Sequence, residues 1–179
     1  MADHGHAAAA REVTAMAYNW AQLAFVEKWR LEAVRGPVIG MYRPEDKTFF
    51  DLRLKPGEGG VGKLAAAVEV HMVDAGDMLR EKRIPLTSTV AVVIRVVASS
   101  VREVGADVES EVPPRGRRWL ESGSRVIGTV TRGNDDTILL DIGLPVVVQL
   151  PEGGVPSHLR PGQRVEVSIA ETPKGFLVV

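Results

Sequence analysis

The chain of 179 residues contains no cysteine, which excludes disulfides, thiolate metal sites and a cysteine nucleophile. Aromatic residues make up only 5% of it and its net charge is −1, so no global field attracts it to nucleic acid or to acidic membranes. No apolar run approaches the roughly 20 residues of a membrane helix. The first ten residues also lack the basic and apolar regions of a signal peptide. We therefore expect a cytoplasmic protein that does not contact a membrane.

Motifs for catalysis and for metal binding are also missing. No pair among the four histidines has the spacing of a helical zinc site; they are His4, His6, His71 and His158. The stretch GEGGVGKL has the glycine and lysine spacing of a phosphate-binding loop, but Leu64 stands where a Ser or Thr would hold Mg²⁺. We interpret it as a flexible loop. Asp135, Asp136 and Asp141 fall in a predicted hairpin, where aspartates stabilise the turn. We predict a non-enzymatic protein without catalytic residues, metal or cofactor.

Helical periodicity extends from about Ala7 to Arg35, and Gly36 with Pro37 is predicted to end the helix. Four of the nine aromatic residues of the chain lie here: Tyr18, Trp20, Phe25 and Trp29. Two interpretations stay open. The helix covers one end of a β core, or it docks on a partner or on a copy of itself. These four residues are the candidate partner-binding residues.

From Val38 onward the pattern is typical of β structure. The segment TVAVVIRVVAS carries β-branched residues on both faces, which predicts a buried central strand. Pro113, Pro114 and Gly116 mark a boundary. The sequence thus predicts a mainly β fold with an N-terminal helix (1–36), a β-rich domain (37–112), a linker (113–123) and a C-terminal domain (124–179).

The last segment reads as five short strands with a longer connection after the third, a small-barrel pattern. Its first three strands are RVIGTVTRG, TILLDIG and PVVVQLP, and its last two are QRVEVSIA and GFLVV. Val126-Ile127-Gly128, Asp141-Ile142-Gly143 and LRPGQRVEVSI resemble an OB-fold barrel of the S1-like kind. That resemblance implies a closed five-stranded barrel. It also implies a binding or assembly role, as such barrels have in many machines, including phage tails and baseplates.

Part of this pattern occurs twice. Val38-Ile39-Gly40 repeats Val126-Ile127-Gly128, and AVEVHMV (67–73) repeats RVEVSIA (164–170). A tandem pair of related barrels explains the repeat. The alternative is that hairpins in general require the same glycine, aspartate and threonine residues. The fold prediction is therefore an OB-like barrel at the C-terminus, and whether residues 38–105 form a related barrel before it stays open at this point.

Two functions are predicted as alternatives. The first is a binding or assembly subunit that meets a protein partner or a second copy. Val146–Val148 cannot all point inward from one strand, so at least one apolar side chain faces out or is covered. The second is binding of RNA or single-stranded DNA by the C-terminal barrel, through a basic cluster whose tryptophan could stack on a base. Its candidate residues are Arg115, Arg117, Arg118, Trp119 and Arg132. The S1 resemblance implies aromatic and basic residues on the second and third strands, where this sequence has aliphatic and acidic ones.

Overall fold

The computed structural model describes residues 18–62, 64–108, 118–134, 136–153, 156 and 158–179. Its elements confirm the predicted mainly β fold with an N-terminal helix. Two α-helices are described, α1 (Trp20–Trp29) and the short α2 (Met78–Glu81), together with 3₁₀ turns at Arg30–Glu32 and Ala75–Asp77. The ten strands are β1 (Val34–Tyr42), β2 (Phe49–Leu54), β3 (Val68–Asp74), β4 (Thr89–Glu103), β5 (Arg118–Trp119), β6 (Arg125–Gly133), β7 (Thr137–Asp141), β8 (Pro145–Gln149), β9 (Arg164–Ile169) and β10 (Lys174–Leu177).

Helix α1 begins and ends at different residues from those predicted. Asn19 caps its N-terminus, and the Asn19 and Gln22 side chains each accept a hydrogen bond from the other's backbone N–H. The predicted stretch from Ala7 to residue 17 lies outside the described residues. The predicted end at Gly36 and Pro37 is wrong, because β1 starts at Val34 and both residues lie within it. Pro37 pairs with Thr89 at the start of β4. Proline is tolerated in strands beside bulges, and the register shift of β1 lies next to Pro37, between Val38 and Gly40.

Nine of these ten strands form two rings that share β4, and the short β5 pairs with β3 outside them. In the first ring β1 pairs with β2, β2 with β3, β3 with β10, β10 with β4, and β4 with β1. In the second ring β6 pairs with β7, β7 with β8, β8 with β4, β4 with β9, and β9 with β6. The predicted central strand is confirmed, since β4 lies within the sheet and carries buried side chains from Val90 to Val101, on both of its faces at 92–94.

The final third of the chain does not close its ring by itself. Its last strand, β10, lies between β3 and β4 in the first ring. The second half of β4 takes the position in the second ring that β10 was expected to fill, and pairs with both β8 and β9. Each ring therefore contains one strand from the other half of the chain. Strand β4 is 15 residues long. Its first half therefore pairs with strands of the first ring and its second half with strands of the second ring.

The two rings have the same pairing pattern. Each contains one parallel pair, β3 with β10 and β8 with β4, and its other pairs are antiparallel. The connection after the third strand has the same length in both, 14 residues at 75–88 and at 150–163. The turn before the fourth strand also matches: Thr87 N–H donates to the Val38 carbonyl and Gly162 N–H to the Val130 carbonyl, both at 2.8 Å.

The register of this correspondence differs from the repeat in the sequence. Both first strands carry a bulge, one after Val38 and one after Val130, so Val38 corresponds to Val130 and not to Val126. The matching segments are VRGPV (34–38) and VIGTV (126–130), four residues away from the repeat that the sequence suggests. The second repeat is also misplaced, because β9 corresponds to the first half of β4 and not to β3.

Candidate binding surfaces

The outer face of α1 exposes two large apolar side chains. Trp20 is 87% exposed and Leu31, in the following 3₁₀ turn, is 91% exposed. Ala24, one helical turn after Trp20, is exposed between them. The opposite face is buried through Val26 and Trp29. A helix that is apolar on both faces is typical of one packed on both sides, and the described residues cover only one side.

The four aromatic candidates of the helix region have different environments. Tyr18 is 3% exposed and its hydroxyl donates to the Leu177 carbonyl at 2.9 Å. Burial, together with the nearby Asp74 carboxyl group, raises the pKa of Tyr18. Trp29 is buried, and Phe25 packs on Phe176 with ring centroids 4.5 Å apart. Of the four, Trp20 is the one presented to solvent; the assignment of all four as partner-binding residues stays a prediction.

Of the predicted nucleic-acid residues, the structure describes the side chains of Trp119 and Arg132. Arg115 and Arg117 lie outside the described residues, and of Arg118 only the backbone is described, paired with Glu69. Trp119 is 5% exposed. The Arg132 guanidinium lies 4.8 Å from the Trp29 ring and 3.2 Å from the Glu32 carboxylate. Trp119 and Arg132 thus make contacts within the molecule, and the nucleic-acid assignment of the cluster stays a prediction.

The aliphatic run of the second ring is covered. Val146, Val147 and Val148 are each at most 1% exposed. Since successive residues of β8 point to opposite faces, both faces of this strand are buried. This run therefore offers no apolar surface to a partner.

An aromatic platform on the first ring was not predicted. Tyr42, Phe49 and His71 have ring centroids 5.3 to 5.8 Å apart in all three pairs, and their planes lie within 23° of each other. The three centroid distances are nearly equal, which excludes a linear stack, because the two outer aromatic side chains of such a stack would be twice as far apart as neighbours. The three aromatic side chains therefore pack on one another as one compact cluster, the aromatic platform, on the outer face of β1, β2 and β3. Tyr42 is 51% exposed.

A histidine–aspartate pair supports this platform. His71 Nδ1 lies 2.7 Å from Asp51 Oδ1, and against a carboxylate the ring nitrogen must donate. Gly40 is the cross-strand neighbour of Asp51, and a Cβ there would lie 2.8 Å from Asp51 Oδ2. The missing side chain at Gly40 thus leaves room for the carboxylate that orients His71. Strand alternation in TFFDLRL and VEVHMV could have predicted that Phe49, Asp51 and His71 share the outer face.

Charges around the platform are balanced. Arg53 pairs with Glu69 at 3.0 Å on the same outer face, and Arg43 lies 3.5 Å from Asp77. Among the residues that the structure describes around the platform, these pairs leave no basic stripe of the kind that follows a phosphate backbone.

Among the clefts lined by described residues, two lie beside the strand rings. One, of about 390 Å³, lies where Gly60 and Gly62 approach Arg132, Asp141 and Gly143 of the second ring. The loop that was interpreted as flexible is anchored there, since its Val61 and Leu64 side chains are buried. Leu64 thus packs in the core at the position where a phosphate-binding loop would carry Ser or Thr. The other cleft, of about 410 Å³, lies between α1, the end of β3 and the start of β10.

Within the described ranges, no group of three or more His, Asp or Glu side chains is placed to hold a metal ion. Among the helices that the structure describes, none is long and apolar enough to cross a membrane. Comparison of the chain with protein-family models, with curated proteins and with solved structures finds no match. The function of the protein is therefore inferred from its own residues and their geometry.

Proposed function

We propose that the chain is a non-enzymatic assembly subunit built from two OB-like modules, and that it associates with a second copy through the outer face of α1. The exposure of Trp20 at 87% and of Leu31 at 91% carries this proposal. Large apolar side chains exposed on one surface mark interaction sites, and Trp is among the residues that dominate binding energy at protein interfaces. The five-stranded rings and the 14-residue connection after each third strand support the OB-like assignment.

The α1 surface is self-complementary in an antiparallel pairing. Glu27 and Lys28 are neighbours near its middle, and both are exposed. A two-fold axis between them places Glu27 of each copy opposite Lys28 of the other, and Leu31 of each copy opposite the small side chain of Ala24. Isologous contacts of this kind are the commonest in homodimers. The net charge of −1 adds almost no repulsion between the copies.

Replacing both Trp20 and Leu31 by alanine is expected to weaken self-association by about 100-fold or more, because each side chain would lose about 1–3 kcal/mol of buried contact. Sedimentation equilibrium of the wild type and the double variant measures the dimer dissociation constant. Leu86→Ala, at a 49% exposed leucine in the turn before β4, is the control and should leave the constant unchanged. A monomeric wild type at high protein concentration, or a double variant that dimerises like the wild type, would contradict the proposal.

The aromatic platform supports a second candidate, binding of single-stranded nucleic acid on the first ring. Half-exposed Tyr42 offers a ring on which a base can stack, and Phe49 with the buried His71 packs against that ring and holds it in place. Stacking contributes about 1–3 kcal/mol per base without sequence preference. The balanced charges nearby weaken this candidate, since phosphate contacts usually supply most of the affinity.

Tyr42→Ala is expected to reduce the affinity for a single-stranded oligonucleotide by about tenfold under this second candidate, whereas Tyr42→Phe keeps the ring and the affinity. Fluorescence anisotropy at two salt concentrations measures both. Absence of binding at low salt rejects the candidate. Binding that survives Tyr42→Ala but is lost in Arg117→Ala with Arg118→Ala would instead assign nucleic acid to the Arg115–Trp119 cluster.

A further inference from the structure

The connection from β3 to β4 begins with a segment that packs on the core, residues 75–84, here called the strap. It consists of the 3₁₀ turn Ala75–Asp77, helix α2 and the three residues after that helix. Met78 and Leu79 are each 1% exposed and belong to the hydrophobic core, whereas residues 80–83 are exposed. Beyond Ala75, the strap is therefore held by two fully buried apolar side chains.

The backbone of the strap is strained on both sides of α2. Gly76 and Asp77 precede the helix with φ values of 73° and 54°, and Arg83 follows it with a φ of 51°. Left-handed backbone is disfavoured for residues that carry a side chain, as Asp77 and Arg83 do. A strained segment with few buried side chains opens more easily than the strands around it.

A buried carboxyl group joins the strap to β3. Asp74, the last residue of β3, is 5% exposed, and its Oδ2 accepts a hydrogen bond from the Leu79 backbone N–H at 2.7 Å. Its Oδ1 is buried and has no hydrogen-bond partner among the described residues. This environment suits a neutral carboxyl group better than a carboxylate, whose charge would be kept from water with one oxygen unsatisfied. Ionisation of Asp74 therefore opposes the closed strap.

The charged groups around Asp74 do not neutralise it. Within the described residues, no cation lies within 4.0 Å of its carboxyl oxygens. Asp77 is itself paired with Arg43 and Arg80, and the Tyr18 phenol lies close enough to sense the Asp74 charge. The other charged groups that line the adjoining cleft are Lys47, Glu171 and Lys174. Burial, and to a smaller extent the charge of Asp77, raises the pKa of Asp74 to about 7.

We propose that the strap is a proton-controlled lid, closed on the first ring while Asp74 is protonated and opening locally when Asp74 ionises. Opening brings the carboxylate into water and withdraws Met78 and Leu79, which uncovers part of the apolar core. The strands stay folded when the strap opens. The lid does not depend on dimerisation through α1, because neither Trp20 nor Leu31 belongs to it.

The pH range of the lid follows from the two environments of Asp74. In the open strap the hydrated carboxyl group has its ordinary pKa of 3.8, whereas in the closed strap its pKa is about 7. The opening constant should therefore be lowest below about pH 4, rise about tenfold per pH unit towards pH 7, and level off above it. Between pH 5 and pH 8 the increase should be about 50–100-fold.

Hydrogen exchange of backbone amides, followed by NMR from pH 5 to pH 8 and corrected for the intrinsic exchange rate, tests the lid. The reporters are the Leu79 N–H, bonded to Asp74, and the Ile84 N–H, bonded to the Leu79 carbonyl. The amides of Val92 and Ile94 in β4 report global unfolding. Leu79 and Ile84 should be at least about tenfold less protected than the β4 amides and should lose about 50–100-fold of their protection from pH 5 to pH 8.

Asp74→Asn separates the charge from the hydrogen bond. It keeps an oxygen that accepts from the Leu79 N–H but has no proton to lose, so the strap should stay closed at pH 8. Protection of Leu79 at that pH should rise about 50-fold or more, and its pH dependence should disappear. Asp46→Asn, at an exposed aspartate in the turn between β1 and β2, is the matched control and should change neither.

Four results would overturn the lid. They are equal protection of Leu79 and of the β4 amides at every pH, protection of Leu79 that does not change between pH 5 and pH 8, an unchanged pH dependence in the folded Asp74→Asn protein, and an Asp74 carboxyl group that titrates near pH 4. The last is measured from the ¹³C chemical shift of the Asp74 carboxyl carbon in the wild-type protein, so it does not require the variant to fold.

Discussion

At pH 8, Asp74→Asn is expected to raise the free energy of unfolding by about 2–4 kcal/mol. The wild-type carboxyl group is buried with one unpartnered oxygen, and its pKa rises from 3.8 to about 7 on folding. Each pKa unit corresponds to about 1.4 kcal/mol. Asparagine keeps an oxygen that accepts from the Leu79 N–H and carries no charge, so it avoids the cost of a buried carboxylate.

Because folding raises the pKa of Asp74, the contribution of this carboxyl group to stability depends on pH. Between about pH 4 and pH 7 the folded wild type holds a proton on Asp74 that the unfolded chain has lost. The contribution of this group to stability is thus complete below about pH 4, falls as the pH rises to about 7, and is constant above. The advantage of Asp74→Asn should therefore be smallest at pH 4 and reach its full value near pH 7.

Urea denaturation followed by circular dichroism at pH 4, 6 and 8 measures the difference. Asp74→Ala serves as the comparison, because it removes the charge but also leaves the Leu79 N–H without its acceptor. A stability difference between wild type and Asp74→Asn that does not change with pH would show that the folded carboxyl group has an ordinary pKa. A destabilised Asp74→Asn at pH 8 would contradict the prediction directly.

Phe176→Ala is expected to lower the free energy of unfolding by about 3–5 kcal/mol. Phe176 lies in β10, is 1% exposed, and packs on Phe25 of α1 with the Arg95 guanidinium 5.1 Å from its ring. Because β10 closes the first ring from the C-terminal end of the chain, the cavity would loosen α1, β3 and β4 together.

Chemical denaturation followed by tryptophan fluorescence and by circular dichroism tests this prediction. Both probes should report one transition, since β4 belongs to both rings and couples them. Val179→Ala is the control, because Val179 is 71% exposed and surface substitutions usually change stability by less than about 0.5 kcal/mol. A loss below about 1 kcal/mol, or two separate transitions, would show that the rings are not interlocked through β10 and β4.

Local patterns predicted the strands well. The β-branched residues of TVAVVIRVVAS indicated a buried strand, and 89–103 is the long shared strand of both rings. The glycine of LRPGQR indicated a turn before the next strand, and Gly162 has a φ of 91° there. These features depend on residues close together in the chain, so the sequence contains the information needed to predict them.

The correspondence of the two rings could not be aligned from sequence. The first ring uses Thr87 at a φ of 70° where the second uses Gly162, so the turn is the same but its residue is not. The repeated Val-Ile-Gly triplets were a stronger visual match than the true pair, VRGPV and VIGTV. Only the bulges and the hydrogen bonds of Val38 and Val130 fix the register, and these depend on pairing between distant strands.

The candidate surfaces likewise combine features that the sequence predicts with features that depend on the tertiary structure. Helical spacing identified Trp20 as an aromatic residue of a helix, but it could not separate exposed Trp20 from buried Trp29. Which face of α1 is buried depends on where the strands of the sheet lie. Asp74 appeared only as the end of an alternating segment. Its unpartnered oxygen results from the meeting of β3, α2 and the residues around β10.

Composition and short-range pattern by themselves determined that this is a mainly β chain without thiol chemistry, with an aromatic helix before the strands. Tertiary structure alone decided that β4 is shared, that β10 crosses to the first ring, and that Tyr42, Phe49 and His71 meet. The physical reason is that strand alternation specifies which side chains share a face, whereas hydrogen bonding between strands far apart in sequence specifies which faces become neighbours.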